Sequence, residues 1–113
     1  MTCEEVISRA DKLKNNAFPV EIKLEWLNDL ERRIQTEIFL YGPEELRIHA
    51  SPAEEVFGHP AFLDLYEAYL LAKLDLARGE YRKYQNGQAV YEDALKSYMK
   101  WYAETKRPAQ TRR

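Results

Sequence analysis

The sequence has few of the residues that build disulfides, phosphate loops or membrane spans. It contains one cysteine and four glycines in 113 residues. The lone Cys3 excludes an internal disulfide and a cysteine metal cluster. An apolar run of about 18 residues, which a membrane-spanning helix needs, is absent, so we expect no membrane span. The N-terminus also lacks the charged-then-apolar pattern of a signal peptide, which predicts a cytoplasmic protein.

Patterns typical of catalysis are missing as well. Four scattered glycines cannot form a glycine-rich phosphate loop, and the three serines have no flanking glycine of a nucleophile elbow. His49 and His59 are ten residues apart, a spacing that matches no common metal motif, so both are predicted to be surface loop residues. The adjacent acids favour solvated charge, because neighbours on a helix point in different directions: Glu4-Glu5, Glu44-Glu45, Glu54-Glu55 and Glu92-Asp93. We therefore predict no enzyme, cofactor or metal site.

Charge is divided unevenly along the chain. The net charge is −2, but the last eight residues, Lys106 to Arg113, hold four of the seventeen basic residues and no acid. The preceding 105 residues carry thirteen basic and nineteen acidic side chains, a net charge of −6. We expect a single domain over residues 1–105 and a basic, flexible tail over residues 106–113. An acidic body disfavours nucleic-acid binding over its surface, since phosphate contacts need clustered lysine and arginine.

Capping residues mark the first two predicted helices. Thr2 and Glu5 form a capping box that begins a helix ending near residue 16. Pro19 suits the first turn of a second helix, which is expected to run to about Tyr41 and to be stopped by Gly42. The first helix is predicted to bury Val6, Ala10 and Leu13. The second is predicted to expose its charged residues, Lys23, Glu25, Asp29, Arg32, Arg33 and Glu37.

The second half of the chain predicts an arm and two further helices. Residues 42–60 contain three prolines, two glycines and no sustained periodicity, which indicates an irregular arm with at most one short strand or helical turn. Pro60 opens the third helix, and Gly79 interrupts it. Asn86-Gly87 is predicted as the clearer break, followed by a fourth helix from Gln88 to about Glu104. The expected fold is an all-α bundle of about four helices.

Aromatic residues are concentrated in the last two predicted helices. Seven of the eight tyrosines lie between Phe62 and Tyr102. From Tyr81 onward they recur at steps of three and four, as on one helical face. This number of aromatic side chains exceeds what a small helical core needs. The surplus predicts a surface for another subunit.

Two stretches of the sequence resemble a known family. The segment from Leu65 to Tyr81, LYEAYLLAKLDLARGEY, with Tyr84-Gln85-Asn86 and a final Trp101-Tyr102, resembles the C-terminal half of small head-to-tail connector proteins of tailed phages and prophages. The segment from Lys23 to Ile34, KLEWLNDLERRI, is similar to the long helix of that family. The sequence departs from the family pattern in two places. Where the family has an Asn-Asn pair followed by a small residue, this chain has Gln85, Asn86 and Gly87. The 42–60 arm has no counterpart in the family.

The resemblance implies a structural adaptor that forms a ring between the portal and the tail, assembled in the bacterial host cytoplasm and then part of the virion neck. Its partners would be the portal protein and the next neck or tail protein, with at most non-specific passage of DNA. The residues it implies fall in three sets. Subunit-interface candidates are Tyr66, Tyr69, Tyr81, Tyr84, Trp101 and Tyr102. Asp75, Gly79 and Asn86 would fix the turn between the last two helices, and Lys106, Arg107, Arg112 and Arg113 would dock into the portal.

Two other function classes fit the composition. The acidic pairs allow a small all-α metal-dependent nucleotide hydrolase, whose acids lie on facing helices. A helical regulatory or antitoxin-like binding protein is the other alternative.

Overall fold

Four α-helices form the fold of residues 1–106, the part of the chain that this computed structural model describes. They are α1 (Cys3–Leu13), α2 (Val20–Arg33), α3 (Leu63–Ala77) and α4 (Tyr81–Thr105). The arm between α2 and α3 contains short 3-10 turns at Pro43–Glu45 and Pro60–Phe62. Residues 1–106 contain no β-strand, only an isolated bridge between Thr2 and Glu55. The predicted all-α class is confirmed, and no helix in this range has the length and apolarity to cross a membrane.

The start of α1 follows its sequence signals. The Glu5 amide donates to the Thr2 hydroxyl at 3.1 Å, and the Thr2 amide donates to the Glu5 carboxylate at 2.8 Å, which confirms the capping box. The buried face of α1 differs from the prediction, because Leu13 is exposed and Ile7 packs in the core. The helix ends at Leu13, earlier than expected, and the Lys14 amide donates to the Ala10 carbonyl.

The end of α2 differs from the prediction. Residues Ile34–Ile38 continue the helix as a π-helical turn, in which the Phe39 amide donates to the Ile34 carbonyl at 3.0 Å. The chain then reverses at Leu40, whose φ of 61° lies in the left-handed region. Gly42 has a φ of −76° and does not end the helix. A bulky residue in the left-handed region is a strained conformation that the surrounding contacts must hold.

Lys23 was predicted to face water, and this prediction is wrong. The side chain is buried, and its ammonium lies 2.9 Å from one Asp11 carboxylate oxygen and 3.0 Å from the other. The Asn16 side-chain oxygen accepts a third hydrogen bond at 3.2 Å. A lysine tolerates burial only when its charge is compensated, and Asp11 compensates it here.

A tight turn joins α3 to α4. The Gly79 amide donates to the Leu76 carbonyl at 3.1 Å and the Glu80 amide donates to the Asp75 carbonyl at 2.9 Å, the pairing of a Schellman motif. Gly79 has a φ of 75°, which glycine adopts without strain. The predicted break at Asn86-Gly87 is wrong, because α4 is continuous through both residues. Gly87 instead packs against Ala72 of α3, at a distance that would still accept a Cβ atom.

The core lies where α1, α2, α3 and α4 meet. It combines aliphatic residues with three buried tyrosines, Tyr66, Tyr91 and Tyr98. Tyr91 and Tyr98 belong to the aromatic stripe that the sequence shows from Tyr81 onward. The stripe is therefore part of the core along the second half of α4.

The two glycines of this helical hairpin should respond oppositely to alanine. Gly79→Ala places a side chain in the left-handed region and should lower the free energy of unfolding by about 1 kcal/mol. Gly87→Ala adds a methyl group 3.4 Å from the Ala72 Cβ, an ordinary contact, and raises helix propensity by up to about 1 kcal/mol. Urea unfolding of both variants measures the difference. If Gly87→Ala proved the more damaging, a turn at residue 87 would be indicated and the continuous α4 contradicted.

Candidate functional site: an aromatic groove beside a buried carboxylate

An open groove of about 710 Å3 lies between the arm and the C-terminal end of α4. We call it the aromatic groove, because seven of its thirteen lining residues carry an aromatic ring. It is lined by Phe39, Tyr41, Arg47, Glu55, Val56, Phe57, Gly58, His59, Pro60, Tyr98, Trp101, Tyr102 and Lys106. Concave surfaces lined by aromatic residues are typical of binding sites for partners and ligands.

Ring contacts hold the walls of the aromatic groove in place. The Trp101 ring lies 5.0 Å from the His59 ring and 5.1 Å from the Phe62 ring, measured between centroids. The Tyr102 ring packs against the Phe39 ring at 5.0 Å. These contacts tie α4 to the arm and to the end of α2. They present Trp101 and Tyr102 as anchors that lose little conformational freedom on binding.

The aromatic groove carries two cations without a carboxylate partner in the described residues. The Arg47 guanidinium lies over the Phe57 ring at 4.8 Å, and the Lys106 ammonium over the Trp101 ring at 5.9 Å. Within residues 1–106, neither forms a salt bridge. The one acid in the lining, Glu55, pairs with the N-terminal amine at 2.8 Å. The groove therefore favours negatively charged groups on a partner.

Two exposed aliphatic side chains are adjacent in sequence to residues that line the aromatic groove. Leu40 is 59% exposed and Ile48 is 55% exposed. Gln35 brings them to the same end of α2, because its carbonyl accepts from the Tyr41 amide at 2.9 Å and its side-chain oxygen from the Arg47 amide at 3.0 Å. We call Leu40, Arg47 and Ile48 the apolar rim. An exposed aliphatic pair next to exposed aromatic area indicates a contact surface.

One face of α2 holds the arm through polar side chains. Asn28, Glu31 and Gln35 recur at steps of three and four, so they lie on one side of the helix. The Asn28 side chain accepts from the His49 amide at 2.8 Å and donates to the His49 carbonyl at 3.0 Å. Gln35 makes the equivalent pair of contacts with Arg47. These paired contacts fix the backbone of residues 47–49 against α2, as paired hydrogen bonds fix a strand at the edge of a sheet.

The Glu31 carboxylate lies at the centre of this face and is fully buried. It accepts from the Tyr66 hydroxyl at 2.5 Å and from the Phe57 amide at 2.9 Å, and His49 Nε2 lies 2.6 Å from it. His49 is buried, so the prediction that it is a surface residue is wrong. Burial, followed by the nearby Glu31 charge, raises the pKa of Tyr66 well above its usual value, so its hydroxyl stays a donor.

The polar cluster around Glu31 has the geometry of a structural hydrogen-bond network and not that of a metal site. The His49 ring has Glu31 at Nε2 and Glu54 at Nδ1, on opposite sides, so the two carboxylates do not converge. Within residues 1–106, no group of three or more histidine, cysteine, aspartate and glutamate side chains could hold a metal ion. Cys3 is also buried, and burial together with the Glu31 charge raises its thiol pKa to about 12.

The predicted site residues separate into distinct groups. Trp101, Tyr102 and Lys106 come together in the aromatic groove. Tyr66 was proposed as an interface residue, but it is buried and donates to Glu31, so it cannot reach a neighbour. Tyr81 is 64% exposed at the start of α4, while Tyr69 and Tyr84 are half-buried and line a smaller pocket of about 220 Å3 beside α2.

The residues predicted to fix the turn, and those predicted to dock into the portal, also lie in different places. Gly79 forms the turn, and Asp75 contributes its carbonyl while its carboxylate binds Lys14 at 2.6 Å. Asn86 lies within α4, away from the turn, so its predicted role is wrong. Of the predicted docking residues, Arg107, Arg112 and Arg113 lie outside the described residues.

The sequence patterns did not predict the buried Glu31 and His49 or the apolar rim. A signal for the first existed, because Asn28, Glu31 and Gln35 form a polar line at helical spacing beside the apolar face of α2. Such a line is typical of a solvated face, and nothing in the sequence shows that the arm covers it. Leu40 gave no signal, since its exposure follows from a π-helical turn and a left-handed residue, and Ile48 gave none because it lies in an arm without periodicity.

The Tyr66 hydroxyl should contribute strongly to the stability of the arm. Tyr66→Phe leaves the Gly58 amide without its acceptor and Glu31 without one donor, both in buried surroundings, and should cost about 1 to 3 kcal/mol. Urea unfolding measures the loss, and hydrogen exchange of the Gly58 amide locates it. Tyr81→Phe is the matched control, because that hydroxyl is exposed, and it should change stability by less than about 0.5 kcal/mol. Equal effects in the two variants would contradict the role of the buried cluster.

The aromatic groove, its two cations without carboxylate partners in the described residues and the apolar rim lie together where the arm meets the ends of α2 and α4. The buried Glu31 cluster holds the arm in this position. Comparison with protein-family models, with curated proteins and with solved structures finds no match to this chain.

Proposed function

We propose that this protein is a structural adaptor of a tailed-phage or prophage neck, a head-to-tail connector that forms a ring between portal and tail. It acts as a binding protein, without catalysis and without a cofactor. It assembles in the cytoplasm of the bacterial host and then becomes part of the virion neck. DNA passes through the ring without sequence-specific contacts.

The aromatic groove with its apolar rim carries this proposal. Leu40 and Ile48 expose aliphatic area that burial in a contact would stabilise by about 25 cal/mol per Å2. Arg47 and Lys106 lie beside this area without carboxylate partners in the described residues. An apolar centre flanked by charge is the usual composition of a protein contact surface. The surface is therefore suited to another protein rather than to a small substrate.

Two sets of predicted residues lie together on this surface. Trp101 and Tyr102, predicted from the family resemblance as subunit-interface residues, line the aromatic groove, and Lys106, the first of the predicted portal-docking residues, lines it as well. Lys106, the last residue that the structure describes, therefore lies beside the Trp101 ring in the groove. This placement supports one continuous contact region for the adjoining subunit and the portal.

Removal of the basic segment should leave folding nearly unchanged and abolish attachment to the portal. Deletion of residues 106–113 should change the free energy of unfolding by less than about 1 kcal/mol, equivalent to a shift in Tm below about 4 °C. Binding to the cognate portal protein should be lost, because the four basic side chains are removed. Size-exclusion chromatography with light scattering of the mixed proteins measures the binding, and a thermal scan measures the stability.

A charge-matched variant controls for chain length. Replacement of Lys106, Arg107, Arg112 and Arg113 by glutamine keeps all 113 residues and should weaken portal binding in the same way. A full-length chain that shows no association with the portal protein at any concentration would refute the connector proposal. Phosphate release from a nucleotide by the purified chain with Mg2+, abolished by replacing one acid pair, would support the hydrolase alternative.

A further inference from the structure

A second groove, of about 490 Å3, runs between α3 and α4 on another part of the bundle. We call it the α3–α4 groove. Small residues, Ala68 and Gly87, line it beside the larger Leu71 and Val90, and Val90 is 60% exposed. A groove with apolar walls and small residues along it is shaped to receive side chains that project from another surface.

Most charges around the α3–α4 groove are already paired. Glu67 binds Arg9, and Asp75 binds Lys14 at 2.6 Å. Lys83 lies 3.8 Å from the half-buried Glu80. Asp64, in the first turn of α3, lines the groove and has no basic partner within residues 1–106. The groove therefore offers a carboxylate beside an apolar surface.

The apolar rim has the opposite properties. Leu40 and Ile48 are exposed, and Arg47 of the arm lies over the Phe57 ring without a carboxylate partner within the described residues. Exposed aliphatic side chains match an apolar groove, and a guanidinium without a carboxylate partner matches a carboxylate without a basic partner. The two surfaces are thus complementary in apolar character and in charge.

These two surfaces cannot meet within one molecule. Gly87 of the α3–α4 groove and Trp101 of the aromatic groove lie on the same continuous helix, fourteen residues apart. At 1.5 Å per residue this separation is about 21 Å. A complementary surface on the same chain that cannot close on itself is available to a second copy.

We propose that the α3–α4 groove of one subunit receives the apolar rim of the next, with Leu40 and Ile48 against Ala68, Leu71 and Val90 and with Arg47 facing Asp64. The contact joins two different faces, so it is heterologous and repeats from subunit to subunit. This inference rests on the proposed ring adaptor and specifies how its subunits would meet. It names a second copy as the occupant, because both complementary halves are carried by this chain.

Cysteine cross-linking tests which faces meet. Leu40→Cys and Val90→Cys are placed in separate full-length chains, and the two chains are mixed at about 1 mM, where a binding free energy of only about −4 kcal/mol half-fills the contact. Mild oxidation should give a disulfide-linked dimer in the mixture and none with either chain alone. The native Cys3 should not form a disulfide, because it is buried and burial raises its thiol pKa to about 12. Ile48→Cys replaces Leu40→Cys if the latter fails to fold.

Charge reversal tests the polar part of the contact. In the cross-linking pair, Arg47→Asp on the Leu40→Cys chain should lower the rate of disulfide formation about fivefold, and so should Asp64→Arg on the Val90→Cys chain, since an exposed ion pair contributes up to about 1 kcal/mol. Both reversals together should restore the rate. Lys12→Asp on the Leu40→Cys chain, an equal charge change at an exposed residue of α1, should have no effect.

The outcomes separate this inference from the proposed function. Absence of the mixed dimer, or equal cross-linking of a single variant with itself, would overturn the heterologous contact, and the second result would indicate a symmetric one. Portal binding that persists without the mixed dimer would leave the adaptor function standing and refute only this contact. A mixed dimer in a chain that does not bind the portal would support the contact and refute the adaptor function.

Discussion

The buried carboxylate of Glu31 dictates how the chain runs between α2 and α3. Moving an ionised carboxylate from water into a protein interior costs several kcal/mol unless hydrogen-bond donors replace the lost water. The three groups that approach it come from different parts of the chain: the Tyr66 hydroxyl of α3, the Phe57 amide and the His49 ring of the arm. Because each is needed to satisfy one charge, the arm has little freedom to adopt another path.

The aromatic groove follows from this constraint. With His49 and Phe57 held at Glu31, the residues on either side of them, Arg47 and His59, face the end of α4. The Tyr66 and Tyr98 hydroxyls then accept from the Gly58 and His59 amides at 2.8 and 3.0 Å. Phenols therefore suit these core positions better than aliphatic residues would, since they pack as apolar rings and also satisfy arm amides. Part of the aromatic surplus in the sequence is explained by the arm.

Local signals predicted the helices, whereas long-range contacts decided the site. The Thr2 cap and the Gly79 turn depend on neighbours within five residues, so the sequence was sufficient for both. Asn86-Gly87 has the local preference of a turn, but its place in α4 is set by packing against Ala72, fourteen or more residues away. Trp101, Tyr102 and Lys106 of the groove could be predicted from the aromatic surplus and the family resemblance. Glu31 and His49 could not, because their burial depends on the path of an arm without periodicity.

At the end of the bundle that carries the aromatic groove, several polar side chains are buried and several apolar side chains are exposed. Glu31, Gln35 and His49 are buried there, while Leu40 and Ile48 are exposed, and Leu40 in the left-handed region adds about 1 to 2 kcal/mol of strain. A helix that ended at Gly42 would have avoided that strain. The reversal is held by the Tyr41 amide, which donates to the Gln35 carbonyl at 2.9 Å, and by the Phe39 ring, which packs against Tyr102. The reversal also leaves Leu40 exposed at the end of α2 to which Gln35 holds Arg47, and burial of Leu40 against another subunit would offset the strain.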